Sequence, residues 1–199
     1  MAARKSKTNK DIVDAWGHNS DLLLAGLAPA KAALLGPFEL VLADPPWRYE
    51  GVTTTPDRNI ELHYATCSVE EICAHKPDTA PDAILFLWAT APLLPEALVV
   101  MRAWGFSYKT GAVWDKEKIG MGYWFRIQHE HLLVGTKGDV RVPAEEVRVS
   151  SVFREPRTRH SAKPLLVYEW LETAFPLLPK LEMYSRSKRY GWVSWGKEA

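Results

Sequence analysis

The stretch FELVLADPPW, residues 38–47, decides how this chain is read. Phe38 to Ala43 reads as a buried strand. Asp44 follows, and then Pro45 and Pro46 remove two backbone donors and fix φ twice, so the strand cannot continue. A carboxylate, a constrained carbonyl and the indole of Trp47 are thereby presented together at a strand's carboxyl end.

Outward from this turn, strands and helices alternate. SVEEICAH, residues 68–75, opens a helix with Ser68 as N-cap and Glu71 three residues on, a capping box. AILFLWA (83–89) is a continuous apolar run, typical of a strand buried on both faces. LPEALVVMRAW reads as a helix with Pro95 in its first turn and Gly105 at its end. SYKTGAVWDK and EHLLVGTKG read as strands, KPLLVYEWLETAF as an amphipathic helix begun near Pro164, and KLEMYSR and GWVSWG as short closing strands. This order predicts an α/β layered fold with a mainly parallel sheet. In such sheets ligands lie beyond the carboxyl ends of the strands. Asp44–Trp47, Trp88–Thr90 and Tyr184–Arg186 all fall at such ends.

Composition bounds the class. The chain has 199 residues, 47% hydrophobic and 25% charged, which suits one ordinary globular domain. We expect a basic flexible tail over residues 1–10 and a single domain over 11–199. The net charge of +1 gives no global field, so any footprint for a polyanion must be local. Cys67 and Cys73 are too few for a disulfide framework and fit no zinc spacing, pointing to a reducing compartment. No apolar run reaches membrane-spanning length, and the opening MAARKSKTNK lacks the apolar stretch of a signal peptide. A cytoplasmic protein with no membrane association is expected.

The chemistry suggested by the turn is activation of an exocyclic amine on an aromatic ring. Such a nitrogen is a poor nucleophile because its lone pair is delocalised. Accepting hydrogen bonds from both amine protons shifts it toward a reactive, tetrahedral state. Asp44 offers a carboxylate, and Pro45 offers a carbonyl whose direction the two prolines fix. Trp47 offers a face on which the ring can stack. Acceptors already in place are electrostatic preorganisation.

The residues ADPPW resemble the signature of the Asp-Pro-Pro-Trp adenine-N6 methyltransferases, the family of the catalytic subunit of the messenger-RNA adenosine methyltransferase and its bacterial and phage relatives. The resemblance continues through FLWATAPLLPEALVVMRAWGF, VWDK, GYWFRIQHEHLLVGTKG, RHSAKP and LEMYSR…GWVSWGKE, from about Phe38 to Glu198. It implies S-adenosylmethionine as methyl donor and a Rossmann-like methyltransferase fold in permuted, beta-class motif order, with the catalytic block early and the cofactor block late. The chain has no Gly-x-Gly-x-x-Gly, which agrees with that order.

The same resemblance assigns roles. Asp44, Pro45, Pro46 and Trp47 form the catalytic block. Lys163 matches a lysine that meets the cofactor's methionine carboxylate, just ahead of a helix start that favours an anion. Asp44, Ser161, Arg186, Lys197 and Glu198 complete the cofactor set, although Lys197 and Glu198 stand where the RNA enzyme has an amide pair. Tyr64 matches an aromatic in the loop after the catalytic turn, and the polar stretch from Arg48 to Thr66 reads as a lid over the target base. Glu130 is placed near the target adenine, with Trp124 and Arg126 beside the substrate path. Strand alternation sends His129 and His131 to one face and Glu130 to the other, and no metal is expected. Glu182 and His160 read as ordinary structural residues.

Arg148, Arg154, Arg157, Arg159 and Lys163 face only Glu155 in one stretch, the local positive field that the net charge conceals. Arg157 and Arg159 are therefore assigned to the substrate phosphates. The expected activity is methylation of adenine N6 in DNA, with the base flipped out of a duplex, in a bacterial or phage-infected cell. RNA is the alternative substrate and a non-catalytic nucleic-acid-binding subunit the alternative class; the sequence leaves the oligomeric state open, a homodimer being one option.

Overall fold

A largely apolar hexapeptide stopped by a double proline forms β1, Phe38–Ala43, in which every residue but Glu39 is buried. The computed structural model describes residues 37–49, 66–156 and 162–196. After β1 come α1 (Val69–Ala74), β2 (Thr79–Thr90), α2 (Leu94–Ala103), β3 (Ser107–Asp115) and β4 (His129–Lys137). They are followed by β5 (Val152–Arg154), α3 (Leu165–Ala174), β6 (Lys180–Met183) and β7 (Trp192–Trp195). The seven strands form one sheet in the order β5-β3-β4-β2-β1-β6-β7.

β4 runs antiparallel to both of its neighbours, while every other pairing is parallel. The amino end of β4 therefore joins the carboxyl ends of the other strands. Glu130 stands level with Thr90 on one side and Trp114 on the other. Nearby, Ala43 is level with Leu87 and Met183, so Asp44 emerges at the same edge.

The period-two alternation of β1 and β2 divides the core. Val41, Ala43, Leu85 and Leu87 pack on Ile72 of α1 and on Ala97, Val100 and Met101 of α2. Leu40, Leu42, Ile84, Phe86 and Trp88 face Val167 and Leu171 of α3. Each fully buried Leu or Phe contributes about 1.5–3 kcal/mol, which holds the strand ends in fixed relation. The capping box also forms: the Glu71 amide donates to Ser68 Oγ, and the Ser68 amide donates to the Glu71 carboxylate.

The expected strands and helices are all present, and the fold is α/β with a mostly parallel sheet. One element is additional. β5 lies within the basic stretch Arg148–Lys163, for which no strand was expected, and it pairs with Val113–Asp115 of β3. Three residues with only Phe153 buried carry too little pattern to announce a strand. No helix among the described residues is long and apolar enough to cross a membrane.

Candidate active site

The double proline builds a braced turn. The Trp47 amide donates to the Pro45 carbonyl at 2.9 Å, closing a three-residue turn and leaving that oxygen a second lone pair. The Pro46 carbonyl accepts from the Cys67 amide at 2.7 Å, and the Arg48 amide donates to the Cys67 carbonyl at 3.0 Å. The direction of the Pro45 carbonyl is thus fixed by its ring, by Trp47 and by the neighbouring 66–68 segment.

Trp47 differs from the expectation of an open stacking face. Its side chain belongs to the core, 7% exposed, and its Nε1–H donates to the Trp88 carbonyl at 3.1 Å. The indole is buried because it packs in the core on the α1 and α2 side of the sheet and finds an acceptor on β2. It anchors the turn to the sheet.

Beside this turn lies a chain of alternating charges. Lys163 Nζ, just before α3, donates to Asp44 Oδ2 at 2.6 Å and lies 3.4 Å from Glu130 Oε2. Lys116, the first residue after β3, donates to Glu130 Oε1. The order Asp44–Lys163–Glu130–Lys116 crosses the carboxyl edge of the sheet. The Lys163 ammonium also stands 5.5 Å above the Trp88 ring, a cation–π contact.

Burial pushes the Asp44 carboxyl up, and the opposing Lys163 charge cancels only part of that. Burial would raise Glu130 as well, but Lys163 and Lys116 together outweigh it and hold the carboxyl below its ordinary value. Burial works against the Lys163 ammonium, yet Asp44 and Glu130 more than restore it. Both carboxylates thus share one ammonium: Asp44 has the shorter contact, and Glu130 has Lys116 as a second cation. Arg186, beyond the end of β6, adds a smaller positive field at Asp44.

A second polar cluster supports β6. Tyr168 of α3 donates to Glu182 at 2.7 Å, and burial raises the pKa of both groups. Glu182, expected as an ordinary outward residue, is tied to the helix that positions Lys163. Arg189 pairs with Glu172 through two bonds and stacks on Tyr168.

The structure thus brings Asp44, Pro45, Glu130 and Lys163 to one edge, with Arg186 in electrostatic reach. Trp124 and Arg126 lie instead on the ribbon between β3 and β4. Trp124 is 95% exposed, and Arg126 Nε donates to the Gly120 carbonyl. Tyr64, Arg157, Arg159, His160, Ser161, Lys197, Glu198 and the tail 1–10 lie outside the described residues. His129 and His131 share a face, ring centroids 5.1 Å apart. Among the described residues no group of three or more His, Cys, Asp or Glu side chains is arranged to hold a metal ion. Sequence reasoning missed Lys116, although its place immediately after a strand at the carboxyl edge was a usable signal.

Comparison with known proteins yields a coherent set. The MT-A70 family matches residues 38–198. The type II methyltransferase M.MunI of Mycoplasma sp is 32% identical over 180 residues, covering 81% of this chain and 77% of that protein. The N(6)-adenosine-methyltransferase MT-A70-like protein of Arabidopsis thaliana is 30% identical over 176 residues, 83% of this chain but 24% of its own length. The human N(6)-adenosine-methyltransferase catalytic subunit METTL3 is 28% identical over 177 residues, 83% of this chain and 29% of its own length. The chain therefore spans about a quarter of these eukaryotic relatives and most of the bacterial one.

Proposed function

The chain belongs to the MT-A70 family of methyltransferases, and from that premise we propose that it methylates N6 of adenine in DNA. Enzymes of this family take their methyl group from S-adenosylmethionine. The observation that carries the finer reading is the Asp44–Pro45 pair of acceptors, fixed at the edge of the sheet beside a buried lysine.

The donor set fits the cofactor's chemistry. Lys163 has three N–H groups, and two are directed at Asp44 and Glu130. The third is available for the cofactor's carboxylate, ahead of the amino end of α3, whose positive dipole end favours an anion. Arg186, after the end of β6, adds positive charge within reach of Asp44. When bound, the cofactor supplies an electrophilic methyl group on a sulfonium.

The protein's own groups then prepare the nucleophile. Lys163 holds Asp44 Oδ2, which leaves Oδ1 to accept one N6–H. The second lone pair of the Pro45 carbonyl accepts the other. Both bonds strengthen as positive charge develops on nitrogen during the C–N bond formation, so they lower the barrier. Asp44 must be ionised to do this. Lys163 favours that charge against the burial that opposes it. Trp47 keeps the turn in place through Trp88, and Glu130 keeps Lys163 charged.

DNA is preferred because the relative covered over most of its length is a type II methyltransferase. Reaching N6 inside a duplex requires the base to be flipped out, at a cost of a few kcal/mol. RNA is the second reading, favoured by the matches to proteins named N(6)-adenosine-methyltransferases. Incubation with methyl-labelled S-adenosylmethionine and equal amounts of DNA and RNA separates the two. Label confined to RNA refutes the DNA reading, and label in neither refutes both.

A further inference from the structure

One backbone bridge and one side chain hold the 66–68 segment against the Asp44–Trp47 turn. The bridge is a single parallel pairing of Trp47 with Cys67. Its bonds run from the Cys67 amide to the Pro46 carbonyl and from the Arg48 amide to the Cys67 carbonyl. Two such bonds outside the sheet contribute little net stability, and they must hold together segments that the chain separates.

The side chain is that of Arg48. Its Nε donates to Thr66 Oγ1 at 3.3 Å, and a terminal guanidinium nitrogen donates to the Thr66 carbonyl at 3.4 Å. The same terminal nitrogen lies 3.7 Å from Glu71 Oε2. The planar fork of an arginine suits this arrangement, because two bonds to one residue fix direction as well as distance.

The far side of this clasp is anchored. Thr66 and Cys67 lead directly into the capping box of α1, in which Glu71 Oε2 also accepts from the Ser68 amide. One carboxylate therefore starts the helix and faces Arg48. The helix is fixed in turn by Ile72, which is fully buried and whose carbonyl accepts from Trp104 Nε1 at 3.0 Å. The turn is thus tied to β2 through Trp47 and to α1 through Arg48.

The Pro46 carbonyl and the Trp47 amide belong to one planar peptide group. Holding that carbonyl on the Cys67 amide aims the Trp47 amide at the Pro45 oxygen, the bond that closes the turn. The position of Cys67 is in this way transmitted to Pro45 without any contact between them.

We propose that Arg48 is a positioning residue for methyl transfer: its clasp on Thr66 and Glu71 keeps Cys67 against Pro46 and thereby fixes the direction of the Pro45 carbonyl. This rests on the reading of that carbonyl as an acceptor for an adenine N6–H.

The test measures steady-state methyl transfer from labelled S-adenosylmethionine to mixed-sequence DNA and RNA, well below the melting temperature. The whole protein is compared with Arg48→Ala, Arg48→Lys and Glu71→Gln. In Arg48→Ala kcat should fall about ten-fold or more, with KM for the nucleic acid within about two-fold of the parent. Arg48→Lys keeps the charge but not the fork, so kcat should stay low. Glu71→Gln retains an acceptor for the Ser68 amide and loses only the ion pair, so its kcat should fall less. The acid limb of the rate should stay in place in Arg48→Ala, since burial, Lys163, Glu130 and Arg186 act on Asp44. Amide exchange should quicken in peptides that contain Trp47 and Cys67. Thr66→Val removes one partner from the other side of the clasp and should lower kcat in the same sense, which serves if Arg48→Ala does not fold.

Parental kcat in Arg48→Ala overturns the proposal, whether or not its melting temperature falls. So does unchanged amide exchange at Trp47 and Cys67. A raised KM with kcat intact, restored by Arg48→Lys, overturns it as well and assigns Arg48 to a substrate phosphate. If the parent methylates nucleic acid and the variant matches it, only this inference fails. If the parent methylates neither polymer, the functional reading fails and this inference with it.

Discussion

The Lys163 ammonium lies 2.6 Å from Asp44 Oδ2, joining residues 119 positions apart in the sequence. Lys163 is 9% exposed and Asp44 30%, so the pair is partly shielded from water. The same ammonium reaches Glu130, and one cation therefore holds two carboxylates in the site. Its removal has consequences for both stability and catalysis.

Lys163→Met should destabilise the protein by about 3 kcal/mol, the lower end of the cost of breaking a buried pair. Asp44 limits the loss because it retains some solvent and can take up a proton. Chemical denaturation measures this, and adding Asp44→Asn to Lys163→Met should recover part of the deficit. A Lys163→Met protein as stable as the parent would show that the pair contributes nothing.

The activity of the parent should fall on the acid side with an apparent pKa above that of an ordinary aspartate. Burial raises Asp44, and its charged form is the one proposed to accept the amine hydrogen bond. In Lys163→Met the acid limb should move to still higher pH, because the cation that lowers Asp44 is gone. Stability follows the matching sign. A raised Asp44 favours the folded state at low pH and withdraws that support as pH rises through its folded value. Glu130, held low by Lys163 and Lys116, contributes stability above the ordinary glutamate range and loses it as pH falls through its folded value. Lys116→Met should therefore move acid unfolding to higher pH, as followed by circular dichroism.

Trp47→Phe keeps an aromatic ring but loses the bond from Nε1 to the Trp88 carbonyl. Stability should fall by about 1–3 kcal/mol from the lost hydrogen bond and the space left behind. Turnover should fall as well, because the Pro45 carbonyl loses its brace. Calorimetry and steady-state kinetics check both. Parent-like stability in this variant would contradict the anchoring role.

Much of this was legible from local pattern. Leu40–Ala43 and the run from Ala83 to Ala89 declare themselves because strand segments buried on both faces read as continuous apolar runs. Ser68 and Glu71 announce α1 because both halves of a capping box lie within four residues. Placing Asp44, Glu130 and Lys163 at one edge followed from strand ends and family resemblance. Other features depend on tertiary partners that no local window contains. Trp47 is buried through an acceptor 41 positions away. Lys116 matters through Glu130, and their contact exists because β4 runs against β3. β5 is held by pairing with β3, since its own three residues bury only Phe153.

The central claim is that Asp44 directs methyl transfer to adenine N6. The most direct measurement is N6-methyladenine in DNA digested after incubation with methyl-labelled S-adenosylmethionine, comparing the parent with Asp44→Ala. The account predicts labelled N6-methyladenine with the parent and a loss of about 10²-fold or more in the variant. Label at N6 that survives Asp44→Ala at the parental rate, or label from the parent in another base, would contradict it.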